Sequence, residues 1–300
     1  MLSTVWRKRY APQQENNMVI LVRYAEIGLK SDFVRKEMEN ALIREITKKL
    51  IERRIEARTE RDRGHIYIIS EQENEIAQIL THTFGVASFS HCVKCGLDID
   101  EIKTAVVEYV KEHRCSTFAI RARRASQHAH TSMEIAKIAG SAVQEHIPGL
   151  KVDLTNPELT IYVEVRPGGT YIYHEKMSGP GGLPYGTQGR VVAIIASERD
   201  TLAAWLMMKR GCRVFAIGKD DALVKPLNAW AHVNFENLEP TIDNAVKIAR
   251  KRDARALISG MCGEELLEVL PEPCALPVFL PLSGFEPQQI ETLRKVVMGV

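Results

Sequence analysis

Apolar residues follow two different spacings in the first part of the chain. Residues 18–24, "MVILVRY", form a run rich in β-branched residues, which predicts a strand. Between residues 31 and 54 they recur at helical spacing, so we predict an amphipathic helix with Ser31 near its N-cap. Two strands joined by a turn at residues 61–64 and a short helix at 75–80 follow. This order predicts a ferredoxin-like α+β domain over residues 18–84.

A second unit combines helices with alternating strands. Residues 99–113 and 132–147 have the apolar spacing of amphipathic helices. Residues 117–123 alternate apolar and basic side chains, which predicts a half-exposed strand. A hairpin is predicted from residues 159–165 and 170–175, with the turn at Pro167-Gly168-Gly169. We expect this second α+β domain to cover residues 85–178.

The richest Gly/Pro stretch, residues 178–189, marks the start of a third unit. Beyond it, predicted strands and helices alternate, which is typical of a Rossmann-like, doubly wound α/β fold with a parallel sheet. The strands are expected at residues 191–195, 213–217, 256–259 and 276–279. The helices are expected at residues 201–210, 240–252, 264–270 and 287–298. The third domain would then span residues 179–300.

Composition narrows the class of protein only slightly. The 300 residues are 45% hydrophobic and 26% charged, with a net charge of +2, so a nucleic-acid surface would have to be a local patch. No apolar run approaches the roughly 20 residues that a transmembrane helix needs. Residues 1–17 are polar and basic, and we expect a flexible leader with translation starting at Met1 or Met18. These features favour a cytoplasmic protein.

Six cysteines are spread along the chain, and Cys92-x-x-Cys95 is their one close pair. The pair could be redox-active or half of a zinc site, but zinc needs two further ligands and no second pair is present. Structural or incidental thiols are therefore the favoured interpretation.

Basic residues cluster in the second unit. Arg121 and Arg123 would lie on one face of a strand, Arg124 follows them, and Lys137 lies on the next predicted helix. Guanidinium groups bind phosphate oxygens well, so this cluster is a candidate phosphate-binding patch. A solvated strand face with surface ion pairs is the simpler alternative, and the bare pattern slightly favours it.

Five segments carry a family resemblance and occur in the family's order. They are "RYAEIGLK" (23–30), "FAIRARRASQHAHTSMEIAKIAG" (118–140), "LTNPELTIYVEVR" (154–166), "GPGGLPYGTQGRV" (179–191) and "AAWLMMKRGCRV" (203–214). Together they resemble the tRNA 4-thiouridine synthases, or tRNA sulfurtransferases, which are linked to thiamine biosynthesis. The resemblance covers the chain from about Met18 to Phe285.

This resemblance implies a ferredoxin-like domain, a THUMP domain that binds the acceptor region of tRNA, and a PP-loop ATP pyrophosphatase domain. Arg121, Arg123, Arg124 and Lys137 are then the expected RNA-binding residues, with Lys30 and Arg35 as weaker candidates. It also implies a homodimer and a sulfur-donor or modification-enzyme partner. Phosphate contacts of this kind position the RNA, and an acceptor stem is recognised mainly by shape.

The expected nucleotide site departs from the family pattern. The family's loop is Ser-Gly-Gly-x-Asp-Ser, whereas this chain has Ala196, Ser197, Glu198, Arg199, Asp200 and Thr201, with Gly260 at the end of a later strand. Glycines let backbone N–H groups approach phosphates closely, and both are lost. Glu198 would also place a negative charge near a pyrophosphate. We therefore predict a degenerate site that needs no cofactor. The alternative is an active sulfurtransferase that uses ATP and Mg²⁺ with a divergent loop.

Sulfur transfer would need a reactive cysteine. The resemblance implies that the family's sulfur-carrying cysteine, and the rhodanese domain of some members, would lie beyond Val300, so we expect neither in this sequence. Cys262 and Cys274 lie near predicted strand ends, where open α/β sheets place their sites, and are weak stand-ins along with Asp200 as catalytic candidates. Cys212 is expected in the core. A protein-interaction module without RNA binding is the third and least favoured function.

Overall fold

The computed structural model describes residues 18–62, 64–125, 129–261, 264–265, 268 and 275–299. These residues form two compact units, each assembled from three stretches of sequence. The first contains residues 18–22, 56–73 and 89–177. The second contains residues 23–55, 74–88 and 178–299. In the described parts of the chain, no helix is long and apolar enough to cross a membrane.

Strands and helices are as follows. The strands are β1 (Met18–Arg23), β2 (Arg58–Asp62), β3 (His65–Ile69), β4 (Ser88–Cys95), β5 (Thr117–Arg124), β6 (Lys151–Val152), β7 (Leu159–Arg166), β8 (Gly169–Tyr173), β9 (Met177–Ser178), β10 (Arg190–Ile195), β11 (Arg213–Gly218), β12 (Asn234–Asn237), β13 (Leu257–Ile258) and β14 (Val278–Phe279). The α-helices are α1 (Asp32–Glu52), α2 (Glu73–Leu80), α3 (Ile99–Lys111), α4 (Ser132–His146), α5 (Glu198–Lys209), α6 (Lys225–Asn228), α7 (Ile242–Arg252) and α8 (Pro287–Met298). Short 3-10 turns lie at Glu26–Leu29 and Asp221–Leu223.

The first unit is built on a sheet in the order β2-β3-β1-β4-β8-β7-β5-β6, with β9 paired to β4. Alternation along β5 decides which residues enter the core. Phe118 and Ile120 are buried with residues of α3 and α4, whereas Arg121 and Arg123 are exposed. Because successive side chains of a strand point to opposite faces, the two arginines lie on the face away from these helices. This confirms the alternating strand that the sequence predicts at 117–123.

The second unit contains a parallel sheet in the order β12-β11-β10-β13-β14. One face of the sheet packs with α5, α6 and α8, and the other packs with α7. The predicted doubly wound fold is therefore confirmed. The sequence prediction missed β12 because its residues, Asn-Phe-Glu-Asn, lack an apolar run.

Aromatic packing joins distant parts of the second unit. Phe84 stacks on Trp230 with ring centroids 5.4 Å apart, and Trp205 meets Trp230 edge-on at 5.1 Å. Lys49 of α1 donates hydrogen bonds of 2.6 Å to the backbone carbonyls of His82 and Trp230. Residues far apart in the sequence therefore share one core.

The predicted helices differ from the structure mainly at their ends. The helix predicted from residue 31 to 54 is α1, and the helix predicted from 201 to 210 begins earlier, at Glu198. The strand β4 was not predicted. Most of the helix predicted at residues 264–270 and the whole of the predicted leader lie outside the described residues.

Candidate functional site

The loop between β10 and α5 is organised around the carboxylate of Asp200. Its Oδ2 accepts the backbone N–H of Ala196 at 3.1 Å and that of Ser197 at 2.9 Å. The Ser197 hydroxyl donates to the same oxygen at 2.8 Å. Two backbone amides at the carboxyl end of β10 thus converge on an anion, and that anion belongs to the protein itself.

The second oxygen of Asp200 reaches the neighbouring strand. Oδ1 accepts the Gly260 N–H at 2.7 Å and the Ser259 hydroxyl at 3.3 Å. Asp200 is only 6% exposed, so its charge depends on these five donors for stabilisation. The sequence analysis named Asp200 as a weak catalytic candidate. In the structure its contacts are those of a structural residue that links β13 to α5.

The contact between Gly260 and Asp200 requires a glycine at position 260, because a side chain there would collide with the first turn of α5. A Cβ on Gly260 would lie 2.5 Å from the carbonyl carbon of Arg199 and 2.6 Å from the amide nitrogen of Asp200. Those are backbone atoms, which cannot turn away as a side chain can. The chain after β13 therefore packs directly on the first turn of α5.

The other loop residues also have partners inside the protein. Thr201 is fully buried, and its hydroxyl donates to the Leu223 carbonyl at 2.8 Å. The Arg199 Nε donates to the Gly260 carbonyl at 3.2 Å. Hydroxyl and guanidinium groups that could have contacted a phosphate are thus engaged elsewhere.

Glu198 does not hold the position that the sequence suggests. Its carboxylate accepts from Arg294 of α8 at 2.7 Å, and this hydrogen bond lowers the pKa of Glu198 below its ordinary value. The carboxylate beside the loop amides is that of Asp200 instead. The sequence prediction chose Glu198 because it replaces a glycine, but at the first position of α5 its side chain faces α8.

The loop does not fit a triphosphate in this arrangement. A phosphate held at the start of a helix needs backbone N–H groups that point at the ligand. The amides of Ala196, Ser197 and Gly260 point at Asp200. A phosphate at the same place would meet the Asp200 carboxylate before it met those amides.

The paired cysteines of β4 belong to opposite faces of their strand. Cys92 is 1% exposed and packs with Tyr67 and Tyr171, whereas Cys95 packs against the core under α3 and α4. Burial raises the pKa of Cys95 to about 12, so its thiol is not activated. Among the described residues, no three potential metal ligands come together. The structure supports structural thiols here.

The other cysteines add little to the candidate chemistry. Cys212 is buried at the start of β11, where burial raises the pKa of its thiol, as expected for a core residue. Cys262 and Cys274 lie outside the described residues.

Arg121 and Arg123 are exposed basic residues on one face of β5. Arg121 donates to the Leu154 carbonyl at 2.5 Å, and in the register of the sheet it neighbours Tyr162 of β7. Arg123 neighbours Glu164 in the same register. Both guanidinium groups therefore lie above a polar and aromatic layer on one face of the sheet.

Sequence reasoning missed that layer. Tyr162 and Tyr173 are stacked with centroids 5.1 Å apart, and Lys176 lies over the Tyr162 ring at 4.4 Å. The alternation in "YVEVRPGGTYIYHEK" (162–176) was the available signal, since it places Tyr162, Glu164 and Arg166 on one face.

Arg124 and Lys137 lie apart from this face. Arg124 is at the end of β5, one position out of phase with Arg123, and donates to the His130 carbonyl at 3.4 Å. Lys137 is exposed on α4. The four stronger RNA-binding candidates are thus divided between the two faces of the sheet in the first unit.

The weaker candidates Lys30 and Arg35 have different surroundings in the second unit. Lys30 is exposed directly after a 3-10 turn. The Arg35 side chain is only 13% exposed and forms ion pairs with Asp32 at 2.7 Å and Glu39 at 3.7 Å. Arg35 is therefore already neutralised within α1.

The first unit is an α+β fold with exposed arginines on β5, and the THUMP domain matches within it, so the chain is a multidomain protein of the THUMP class. Residues 97–175 match the THUMP domain, and residues 19–90 match the ThiI ferredoxin-like domain. The chain belongs to the tRNA sulfurtransferase family, because it covers 85% of a member that is 31% identical to it.

Curated proteins that are similar to this chain are named as probable tRNA sulfurtransferases. A probable tRNA sulfurtransferase from Methanobrevibacter smithii is 41% identical over 241 residues, covering 77% of this chain and 61% of that protein. One from Thermoanaerobacter pseudethanolicus is 31% identical over 326 aligned positions, covering 93% of this chain and 85% of that protein. The chain thus spans less than two thirds of the first relative and most of the second.

Two solved structures share the fold. PH1313 from Pyrococcus horikoshii matches with a TM-score of 0.79 and 26% identity, over 94% of this chain and 100% of that one. A 4-thiouridine synthetase–RNA complex with bound ATP matches with a TM-score of 0.76 and 25% identity, over 93% of this chain and 84% of that one. The resemblance and the fold class predicted from the sequence are therefore confirmed.

Proposed function

We propose that this protein binds the acceptor region of tRNA and does not bind ATP in its pyrophosphatase-like domain. The observation that carries the second part is the contact of the Asp200 carboxylate with the amides of Ala196, Ser197 and Gly260. An internal anion at the phosphate position removes both the donors and the electrostatic attraction that a triphosphate needs.

RNA binding is supported by the THUMP match and by the exposed arginines. Arg121 and Arg123 present planar donors on one face, with Lys176 over the Tyr162 ring beside them. Such groups contact phosphates and set the position of a helix that is recognised by its shape. In this proposal the protein works in the cytoplasm as a homodimer. It presents tRNA to a sulfur-donor or modification-enzyme partner, while its second unit serves as a scaffold.

The second candidate is an active tRNA sulfurtransferase that makes 4-thiouridine. One observation favours it: a solved relative with the same fold holds both RNA and ATP. Under this candidate, ATP with Mg²⁺ would have to displace the Asp200 carboxylate from the loop amides. The cost of breaking five hydrogen bonds to a buried carboxylate counts against it.

Two titrations of the full chain separate the candidates. We expect an unmodified tRNA transcript to bind with strong salt dependence, and ATP with magnesium to give no heat in isothermal titration. Micromolar ATP binding would overturn the scaffold proposal. Formation of 4-thiouridine in tRNA incubated with ATP and a sulfide donor would establish the second candidate. Absence of tRNA binding would overturn both.

A further inference from the structure

Three arginines form a row at the amino ends of adjacent strands in the second unit. Arg190 and Arg213 are Cα partners in the register of β10 and β11. Arg255 donates its backbone N–H to the Arg190 carbonyl at 3.0 Å from the other side. Since neighbouring strands are about 4.8 Å apart, this amino-edge arginine row extends roughly 10 Å across the sheet.

All three side chains start from the same face of the sheet. Val192, Phe215 and Leu257, each two positions after an arginine of the row, are buried in the core under α7. Because a step of two residues returns to the same face, the row also lies on the α7 side. The helix ends at Arg252, so the arginines extend past its last turn and are exposed.

The row carries more positive charge than its surroundings neutralise. Arg190 donates to the Arg252 carbonyl at 3.0 Å and forms an ion pair of 3.7 Å with Asp253. Among the described residues, no ion pair to a carboxylate is formed by Arg213 or Arg255. Like charges held side by side repel one another, and an external anion would relieve that repulsion.

An open cavity of about 660 Å³ lies against the row and is also lined by residues 186–189 and Asp253. A second cavity of about 620 Å³ shares Gly186, Thr187 and Arg213 with it, and adds Arg44 and Lys48 of α1. Glu37 and Glu45 also line the second cavity, so the strongest excess of positive charge is at the arginine row. The two cavities together thus form a basic surface that is large enough to contact more than one phosphate group.

We infer that the amino-edge arginine row binds successive phosphates of an RNA backbone, a site separate from β5 and from the loop after β10. The row precedes β10, whereas the loop with Asp200 follows it, so about 20 Å of strand separates them at roughly 3.3 Å per residue. Each guanidinium group can donate two hydrogen bonds to phosphate oxygens. A row roughly 10 Å long is also long enough to contact several phosphates of an RNA chain, whereas an isolated phosphate would contact only part of it. This inference rests on the proposed tRNA binding.

The test measures tRNA affinity at several salt concentrations for the wild type and for Arg213→Gln/Arg255→Gln. Each lost phosphate contact lowers the slope of log K against log salt by about 1, so we expect a loss of about 2. Arg213→Lys/Arg255→Lys keeps the charge and should keep most of the slope. Arg190 is left unchanged because it also contacts the end of α7.

Lys247→Gln/Lys295→Gln is the matched control, since it removes two charges from the exposed surfaces of α7 and α8. It should leave the slope at the wild-type value. Wild-type slope and affinity in the Arg213/Arg255 variant, with the wild type binding tRNA normally, would overturn the inference alone. Equal losses in the lysine control would also overturn it, because net charge would then explain the effect. A wild type that does not bind tRNA would overturn the proposed function and this inference with it.

Discussion

Gly260 donates its backbone N–H to the Asp200 carboxylate at 2.7 Å, and this bond joins the chain after β13 to the first turn of α5. Both residues occupy positions of the nucleotide-site pattern that the family resemblance implies, and here they bind each other. The consequences of this relationship can be measured in stability and in anion binding.

Removing the Asp200 side chain should destabilise the protein and open its loop to anions. Asp200→Ala leaves five donors without an acceptor, so we expect the free energy of unfolding to fall by about 3 kcal/mol or more. Millimolar phosphate should then raise the melting temperature of the variant but not of the wild type, because the loop amides become available.

Asp243→Ala is the control, since this exposed aspartate lies in the first turn of α7. It should change stability by only a few tenths of a kcal/mol. A phosphate-induced stabilisation of the wild type as large as that of Asp200→Ala would contradict the view that Asp200 blocks the loop.

Gly260 should not tolerate a methyl group. Gly260→Ala places a Cβ 2.5 Å from a backbone carbon of Arg199, and we expect a loss of roughly 1–3 kcal/mol from the forced separation of β13 and α5. Gly284→Ala serves as the comparison because its added Cβ would have no atom within 4 Å, apart from those of its own residue and its chain neighbours. Urea unfolding of both variants would measure the difference, and equal stability of the two would refute the close-packing argument.

Lys49 should make the stability of the second unit depend on pH. Burial lowers its pKa to about 8, whereas in the unfolded chain it is near the ordinary value of about 10.4. The folded state then binds fewer protons between these values, so stability should rise with pH across that window. The rise is at most about 1.4 kcal/mol per pH unit.

The measurement compares the wild type with Lys49→Met by denaturant unfolding from pH 7 to pH 10. The difference in unfolding free energy between the two should shift in favour of the wild type as pH rises. Lys48→Met, which alters an exposed neighbour paired with Glu52, should show no such shift. A pH-independent difference for Lys49→Met would show that burial does not lower its pKa.

Charge removal on β5 should weaken tRNA binding. For Arg121→Gln/Arg123→Gln we expect the salt slope of tRNA binding to fall by about 2, from the loss of two phosphate contacts. Lys103→Gln/Lys111→Gln removes the same charge from α3, on the opposite side of the sheet, and should leave the slope unchanged. Filter binding at several salt concentrations is sufficient, and identical slopes for both variants would exclude β5 as the RNA-binding strand.

Periodicity predicted those parts of the fold in which one face is buried. The alternation in β5 and the apolar runs of β10 and β11 follow directly from burial of Phe118, Val192 and Phe215. The polar strand β12 gave no such signal, because its place depends on pairing with β11 and not on its own side chains. The family resemblance supplied the order of domains that periodicity alone could not.

At the candidate site, the sequence could not predict the directions of the side chains. The sequence indicated that the loop had lost its glycines and gained a carboxylate, but Glu198 and Asp200 are two residues apart and only the structure decides which one meets the amides. At the start of a helix this separation turns one side chain toward α8 and the other back into the loop. The arginine row was hidden for a similar reason, since Arg190, Arg213 and Arg255 become neighbours only through strand pairing.

The contact between Lys49 and the Trp230 carbonyl joins residues 181 positions apart, and it has a consequence for synthesis. A ribosome releases α1 long before it makes the strand and helix segments that complete the same compact unit. Lys49 of this helix and Phe84 both contact Trp230. They therefore lack that partner until the last third of the chain has been synthesised. The contacts of this unit therefore cannot be completed before residue 230 has been synthesised.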